Sequence, residues 1–148
     1  MKESVTSYMT RKLITFTPDI DIQDAIKSLL TNRISGAPVV DRSGRLVGML
    51  SEKDCIRVLI DGDYNQRPTG QGTVSDYMSR RIKTLPASAS IQDAAEEFLN
   101  SPYRRFPVLD GKKLVGQISR RDVLTAIDKR RPKVSHVPSS WKARVPIM

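Results

Sequence analysis

Residues 5–60 of this chain are repeated, more loosely, at residues 74–127. A shift of 69 positions lays Met9 on Met78 and Arg11 on Arg80, matches Ile22-Gln23-Asp24-Ala25 with Ile91-Gln92-Asp93-Ala94, and matches Pro38-Val39 with Pro107-Val108. After one deletion in the second copy the shift becomes 68, and Gly48, Ser51 and Asp54 fall on Gly116, Ser119 and Asp122. A unit this short buries too little apolar surface to stand by itself, so the two copies are expected to pack together. Function is then to be sought in the symmetric cleft they create between them.

Each copy carries the same succession of signals. Val5-Thr6-Ser7-Tyr8-Met9 and Val74-Ser75-Asp76-Tyr77-Met78 read as short helical lead-ins. Residues 13–17 and 82–85 read as short extended segments, closed by Pro18 and Pro86. Ile22, Ala25, Ile26, Leu29 and Leu30 then fall at i, i+3, i+4, i+7 and i+8, the spacing of an amphipathic helix, and Ile91, Ala94, Ala95, Phe98 and Leu99 repeat it. Residues 37–40 and 46–50 flank a turn at 41–44, and residues 106–109 and 114–118 flank one at Asp110-Gly111, so each copy adds a β-hairpin. A last helix begins at Ser51 or Ser119 and carries Ile56, Leu59 and Ile60, or Val123, Leu124 and Ile127. Tyr8, Tyr77, Met9 and Met78, at matching places, suggest packing between elements.

The expected fold class is therefore α+β: two β-α-β-β-α units, each with a helical lead-in, related by a pseudo-twofold. The first occupies residues 4–61 and the second residues 73–129. A Gly-containing linker at 62–72 separates them, and a basic, Pro-containing tail follows at 130–148. The tail shows neither helical nor strand periodicity.

Six basic residues stand from Lys129 onward with no acid among them, so most of the net charge of +9 belongs to the tail. Such a segment suits nucleic acid, anionic lipid or an acidic protein, or is simply a solvated extension. No stretch approaches the roughly 18–20 uninterrupted apolar residues of a membrane span. No apolar segment follows Met1-Lys2-Glu3-Ser4 as it would in a secretory signal. Cys55 is the lone cysteine, which excludes an internal disulfide and fits a reducing, cytoplasmic setting. With one histidine, His136, the chain lacks the ligands of the usual zinc site, and no metal is expected. It also lacks a Ser/His/Asp set and a Gly-x-x-x-x-Gly-Lys-Ser/Thr loop. Cys55 stands at a helix start, where a thiol pKa can fall, but has no histidine near it in sequence. No enzymatic activity is expected.

Several motifs recur in order in this chain: Val-x-x-Tyr-Met-Thr at 5–10, Ile-x-x-Ala at 22–25, Gly-Ala-Pro-Val-Val-Asp at 36–41, Leu-Val-Gly at 46–48 and Ser-x-x-Asp at 51–54. On these the unit resembles the CBS domain, named after cystathionine β-synthase, and the tandem resembles a Bateman module. The resemblance implies binding of an adenosyl nucleotide (AMP, ADP, ATP or S-adenosylmethionine) between the copies, regulation of a partner protein, and a homodimer of discs paired through their helices. It also implies composite clefts. One would take Ser119 and Asp122 with Ile34, Ser35 and Gly36, and Thr10 and Arg11 nearby. The other would take Ser51 and Asp54 with Tyr103, Arg104 and Arg105, and Ser79 and Arg80 nearby.

The chemistry of these residues suits that reading. One carboxylate can accept hydrogen bonds from both vicinal hydroxyls of a ribose, the role for Asp54 and Asp122. Ser51 and Ser119 open helices, whose free amides and dipole favour phosphate oxygens. Adenine would lie against apolar walls and the main chain of residues 34–38 or 103–107. Ser-x-x-Asp also reads as a helix cap, and the two readings are compatible. Arg104-Arg105, in place of Ser35-Gly36, is either a charged turn or a phosphate clamp. It resembles the His-Arg pair at this place in the regulatory subunit of AMP-activated kinase. The Asp54 cleft is accordingly expected to prefer phosphorylated ligands, and the Asp122 cleft to be roomier and less charged. The rival expectation is a nucleotide-indifferent dimeric scaffold that presents the basic tail to a protein or nucleic acid.

Overall fold

The computed structural model describes residues 2–64 and 72–131. The tail from Pro132 onward, with His136, lies outside the described residues, as does most of the linker. In chain order a 3-10 turn at Val5–Ser7 precedes α1 (Ile22–Asn32), β1 (Gly36–Val40), β2 (Leu46–Ser51) and α2 (Glu52–Tyr64). The second copy has α3 (Val74–Tyr77), β3 (Leu85–Pro86), α4 (Ile91–Leu99), β4 (Arg105–Asp110), β5 (Lys113–Ser119) and α5 (Arg120–Lys129). Helix α2 runs on to Tyr64, past the place where the sequence suggests the linker begins.

The amphipathic helices form where the spacing puts them. α1 buries Ile22, Ala25 and Leu29, and α4 buries Ile91, Ala94 and Phe98. Asp21 caps α1 by accepting from the Gln23 amide at 2.8 Å, and Ser90 and Asp93 close a reciprocal capping box on α4. α1 ends on Arg33, held in the left-handed region at φ 53°, which turns the chain sharply into Ile34 and Ser35.

Both hairpins are antiparallel. Gly36 stands opposite Ser51 in the first and Arg105 opposite Ser119 in the second, and both ladders shift register at the same place, after Val39 and after Val108. The expected extended segments are shorter than the sequence suggests. They amount to β3, which pairs in parallel with β4, and a single parallel bridge between Phe16 and Val39.

The lead-ins are exchanged between the copies. Val5 and Met9 lie in a core made of Leu85, Phe98, Phe106 and Ile118, all of the second copy. Val74, Tyr77 and Met78 complete the core of Phe16, Leu29, Val39 and Leu50 in the first. Backbone bonds fix the exchange: Val5 N–H to the Ala89 carbonyl at 3.0 Å, Ile91 N–H to Glu3 at 2.8 Å and Val74 N–H to Ile20 at 2.9 Å. The hairpin turns also meet, with the Leu46 amide on Lys112 O at 3.1 Å and the Leu114 amide on Gly44 O at 3.0 Å. Neither copy has a complete core without the other's lead-in.

The last helices bury only part of their apolar residues. α2 meets the core through Val58, and α5 through Val123 and Ala126. Ile56, Leu59, Ile60, Leu124 and Ile127 remain between 47% and 64% exposed. α2 packs beside α1 and α5 beside α4, and their larger apolar residues face outward. Leu30 and Leu99, at the matching ends of α1 and α4, are also exposed.

Candidate functional site

Two clefts lie between the copies, each built from the Ser-x-x-Asp turn of one and the strand start of the other. The larger, about 780 Å³, is lined by Ser51 and Asp54, by Tyr103, Arg104 and Arg105, and by Ser79. The smaller, about 300 Å³, is lined by Ser119 and Asp122, by Ile34 and Gly36, and by Thr10. Ser35 lines the larger cleft, beside Ser51 of its own copy, and Gly36 and Arg105 line both.

Arg11 and Arg80 are not among the lining residues of either cleft. The Arg11 guanidinium donates to the Thr6 carbonyl at 3.5 Å, and that of Arg80 to Ser75 Oγ at 3.0 Å. Their successors Lys12 and Arg81 line the clefts instead, followed by Leu13 and Ile14 in the smaller and Ile82 and Lys83 in the larger. Three successive residues line each cleft, at 12–14 and 81–83, so no strand alternation in the sequence marks them. Met49 and Gln117, at matching places on β2 and β5, also line the larger and smaller cleft respectively. The Gln117 Oε1 atom is buried and has no hydrogen-bond partner among the described residues.

The Ser-x-x-Asp turns are helix caps in full. Asp54 Oδ2 accepts from the Ser51 amide and the Ser51 hydroxyl, both at 2.9 Å, and the Asp54 amide donates back to Ser51 Oγ at 3.2 Å. In the second copy Asp122 Oδ2 accepts from the Ser119 amide at 2.8 Å, and the Asp122 amide donates to Ser119 Oγ at 3.1 Å. These bonds fall on Oδ2, so among the described residues Oδ1 of each carboxylate keeps its lone pairs for a ligand. Capping therefore leaves one oxygen of each carboxylate able to accept from another group.

The expectation of free helix-start amides is corrected. The Glu52 amide donates to the Ser35 carbonyl at 2.9 Å and the Arg120 amide to the Arg104 carbonyl at 3.1 Å. With the Asp54 and Asp122 amides also engaged, the first turns of α2 and α5 have little left to offer an anion. Positive charge at the clefts must come from side chains. Five basic residues (Lys53, Arg81, Lys83, Arg104 and Arg105) and two acids (Glu52 and Asp54) line the larger cleft, with Lys83 paired to Glu97 at 3.1 Å. Lys12, Arg105 and Asp122 supply the charge of the smaller.

The Asp122 cleft is less charged, as expected, but it is not roomier. Gly36 packs on backbone: a Cβ there would stand 2.9 Å from the Leu50 carbonyl oxygen, so the missing side chain opens no space. The larger cleft instead gains a wall from Pro102, Tyr103 and Arg104. Tyr103 is half exposed and stands edge-on to the buried Phe106, with ring centroids 6.0 Å apart. Its ring is thus held at the cleft margin, where a flat apolar group could rest on it.

Cys55, one residue beyond Asp54, is half-buried. Burial first, and then the charges of Asp54 and Glu52, push its thiol up to about 11, the opposite of what an activated nucleophile requires. Among the described residues no cluster of His, Cys, Asp and Glu could hold a metal ion, and no helix is long and apolar enough to cross a membrane.

Known proteins share this arrangement. YhcV of Bacillus subtilis, a CBS domain-containing protein, is 31% identical over 121 residues, covering 81% of this chain and 82% of that protein. The MJ1225 protein of Methanocaldococcus jannaschii is 30% identical over 125 residues, 84% of this chain but 42% of its own length. CBSX2, a CBS-pair protein of Arabidopsis thaliana, has been solved in complex with AMP. That structure superposes with a TM-score of 0.75 at 28% identity, covering 86% of this chain and 97% of that one. The CBS domain family model matches twice, at residues 5–61 and 74–129. With both copies matched and the tandem fold shared, this chain belongs to the CBS domain family, as a CBS pair.

Proposed function

We propose that this CBS pair is a regulatory module that binds an adenosyl nucleotide (AMP, ADP, ATP or S-adenosylmethionine) in the clefts between its copies and so modulates a partner protein. The observation that carries this reading is the larger cleft. It brings a carboxylate with a free oxygen on Asp54 together with apolar surface on Met49, Ile82 and Tyr103 and an excess of basic side chains. Those are the three demands of a phosphorylated nucleoside: ribose hydroxyls, a flat base and phosphate. The AMP complex of CBSX2, on the same fold, supports it.

In this reading Asp54 and Asp122 hold ribose, and Ser51 and Ser119 fix those carboxylates through the caps. Ser35, Arg104 and Arg105 meet phosphate in the larger cleft, and Ile34, Gly36 and Thr10 shape the smaller. Ligand binding shifts the relative pose of the copies by no more than its differential affinity for the two poses. The exposed apolar side chains of α2 and α5 form the surface on which two such discs pair as a homodimer, in the cytoplasm. They also favour the second reading, a dimeric scaffold indifferent to nucleotide, whose tail at 130–148 meets a protein or nucleic acid. A thermal-shift panel of AMP, ADP, ATP and S-adenosylmethionine separates the two. A ligand of the folded state raises the melting temperature with its concentration by mass action, whereas a scaffold melts at one temperature throughout.

A further inference from the structure

Gly36 and Arg105 line both clefts, and they stand at matching places of the repeat. Each opens its hairpin, Gly36 opposite Ser51 and Arg105 opposite Ser119. At the junction of the clefts one copy thus offers no side chain and the other a guanidinium. A second arginine could not simply replace the glycine, because any Cβ at 36 would press on the Leu50 carbonyl, a backbone atom that cannot swing aside. Arg105 is exposed, and its guanidinium makes no hydrogen bond or ion pair among the described residues, which leaves it able to turn into either cleft.

We infer that Arg105 is one phosphate-binding group shared by two clefts, so that a phosphorylated ligand in the larger cleft weakens phosphate binding in the smaller. This rests on the nucleotide-binding reading above. The direction follows from the remaining charges. The larger cleft keeps Lys53, Arg81 and Arg104 whether or not Arg105 turns toward it. The smaller keeps only Lys12 against Asp122 among its lining residues. A phosphate that draws Arg105 into the larger cleft therefore removes from the smaller its one arginine, the side chain whose planar fork matches phosphate oxygens. Loss of one charge-assisted hydrogen bond corresponds to roughly tenfold or more in affinity. Adenosine, without a phosphate, has nothing for Arg105 to hold.

Calorimetry with AMP and with adenosine tests this on the full chain. Asp122→Ala identifies which step belongs to the smaller cleft, and Asp54→Ala vacates the larger; Asp54→Asn, which keeps an oxygen for the cap, serves if the alanine variant does not fold. The smaller cleft is expected to bind AMP about tenfold more tightly in the Asp54 variant than as the second site of the wild type. Adding Arg105→Gly to both backgrounds is expected to abolish that difference, and adenosine is expected to show none in any background. Equal AMP affinity of the smaller cleft with the larger filled or vacated overturns the inference. So does a difference that survives Arg105→Gly, or a second AMP that binds more tightly than the first allows, which would mean a bridge instead of competition. If neither AMP nor adenosine binds the wild type, the nucleotide reading fails and this inference falls with it; if adenosine and AMP bind without coupling, only the inference falls.

Discussion

Met9 seats its sulfur where a side chain on Gly116 would stand: a Cβ built there would lie 2.5 Å from Met9 Sδ. Met78 occupies the same position over Gly48. Because the lead-ins are exchanged, both contacts run between the copies, and each sits just behind a cleft. The Thr10 and Gln117 backbones pair beside the first through two hydrogen bonds of 2.9 Å, and Ser79 and Met49 pair beside the second at 2.8 and 2.9 Å.

Gly116→Ala is therefore expected to destabilise the fold by about 1–3 kcal/mol, the cost of overpacking a filled site. The same substitution in a Met9→Ala background should cost less, because the opposing sulfur is gone. Denaturant unfolding of the four proteins checks this. Additive effects would show that the lead-in does not rest on that glycine.

Ser51→Ala removes a cap and leaves the Asp54 carboxylate in place. It is expected to cost about 1 kcal/mol of stability. AMP affinity should fall much less than in Asp54→Ala, which removes both the cap and the proposed ribose acceptor. Unfolding and binding measured on the same two variants separate the structural part of the motif from its ligand part, and equal binding losses would contradict the division.

Most of the repeat's architecture was legible in the sequence because both copies spell it. The i, i+3, i+4 spacing from Ile22 and Ile91, the hairpins and the Ser-x-x-Asp caps are local signals, and local geometry obeys them. What was not legible depends on long-range packing. Nothing in Val5 or Met9 says which copy's core they enter, since either offers an apolar slot. The misjudged cleft volumes share that origin: a glycine suggests space, and the Leu50 carbonyl that fills it comes from the neighbouring strand.

Glu3 ties the first lead-in to the end of α5. Its carboxylate accepts from the Tyr8 hydroxyl and, at 2.8 Å, from Arg130 Nε. The Tyr8 bond first and then Arg130 hold the Glu3 pKa below its ordinary value, and the same bond pushes Tyr8 up. A depressed folded-state pKa gives stability that is present above the unfolded value and lost as pH falls through the folded one. Glu3→Gln should thus be less stable than the wild type at pH 7, with the two converging as the pH falls through the depressed folded-state pKa of Glu3. Urea midpoints at pH 7 and along an acid series test it; a constant gap would mean that the carboxylate charge is not what matters.

The outward apolar side chains give a prediction for assembly. If the discs pair as proposed, Leu59→Lys with Leu124→Lys, at positions 56% and 61% exposed, dissociates them to monomers in sedimentation without loss of the helical signal. A wild type that sediments as a monomer would instead leave that surface to another partner.

The most direct measurement is calorimetric titration of AMP into the wild type, Asp54→Ala and Asp122→Ala. The expected wild-type result is two unequal sites, the tighter one lost with Asp54 and the weaker one with Asp122. Absence of any binding heat, or equal losses in the two variants, would contradict a nucleotide-binding pair with inequivalent clefts.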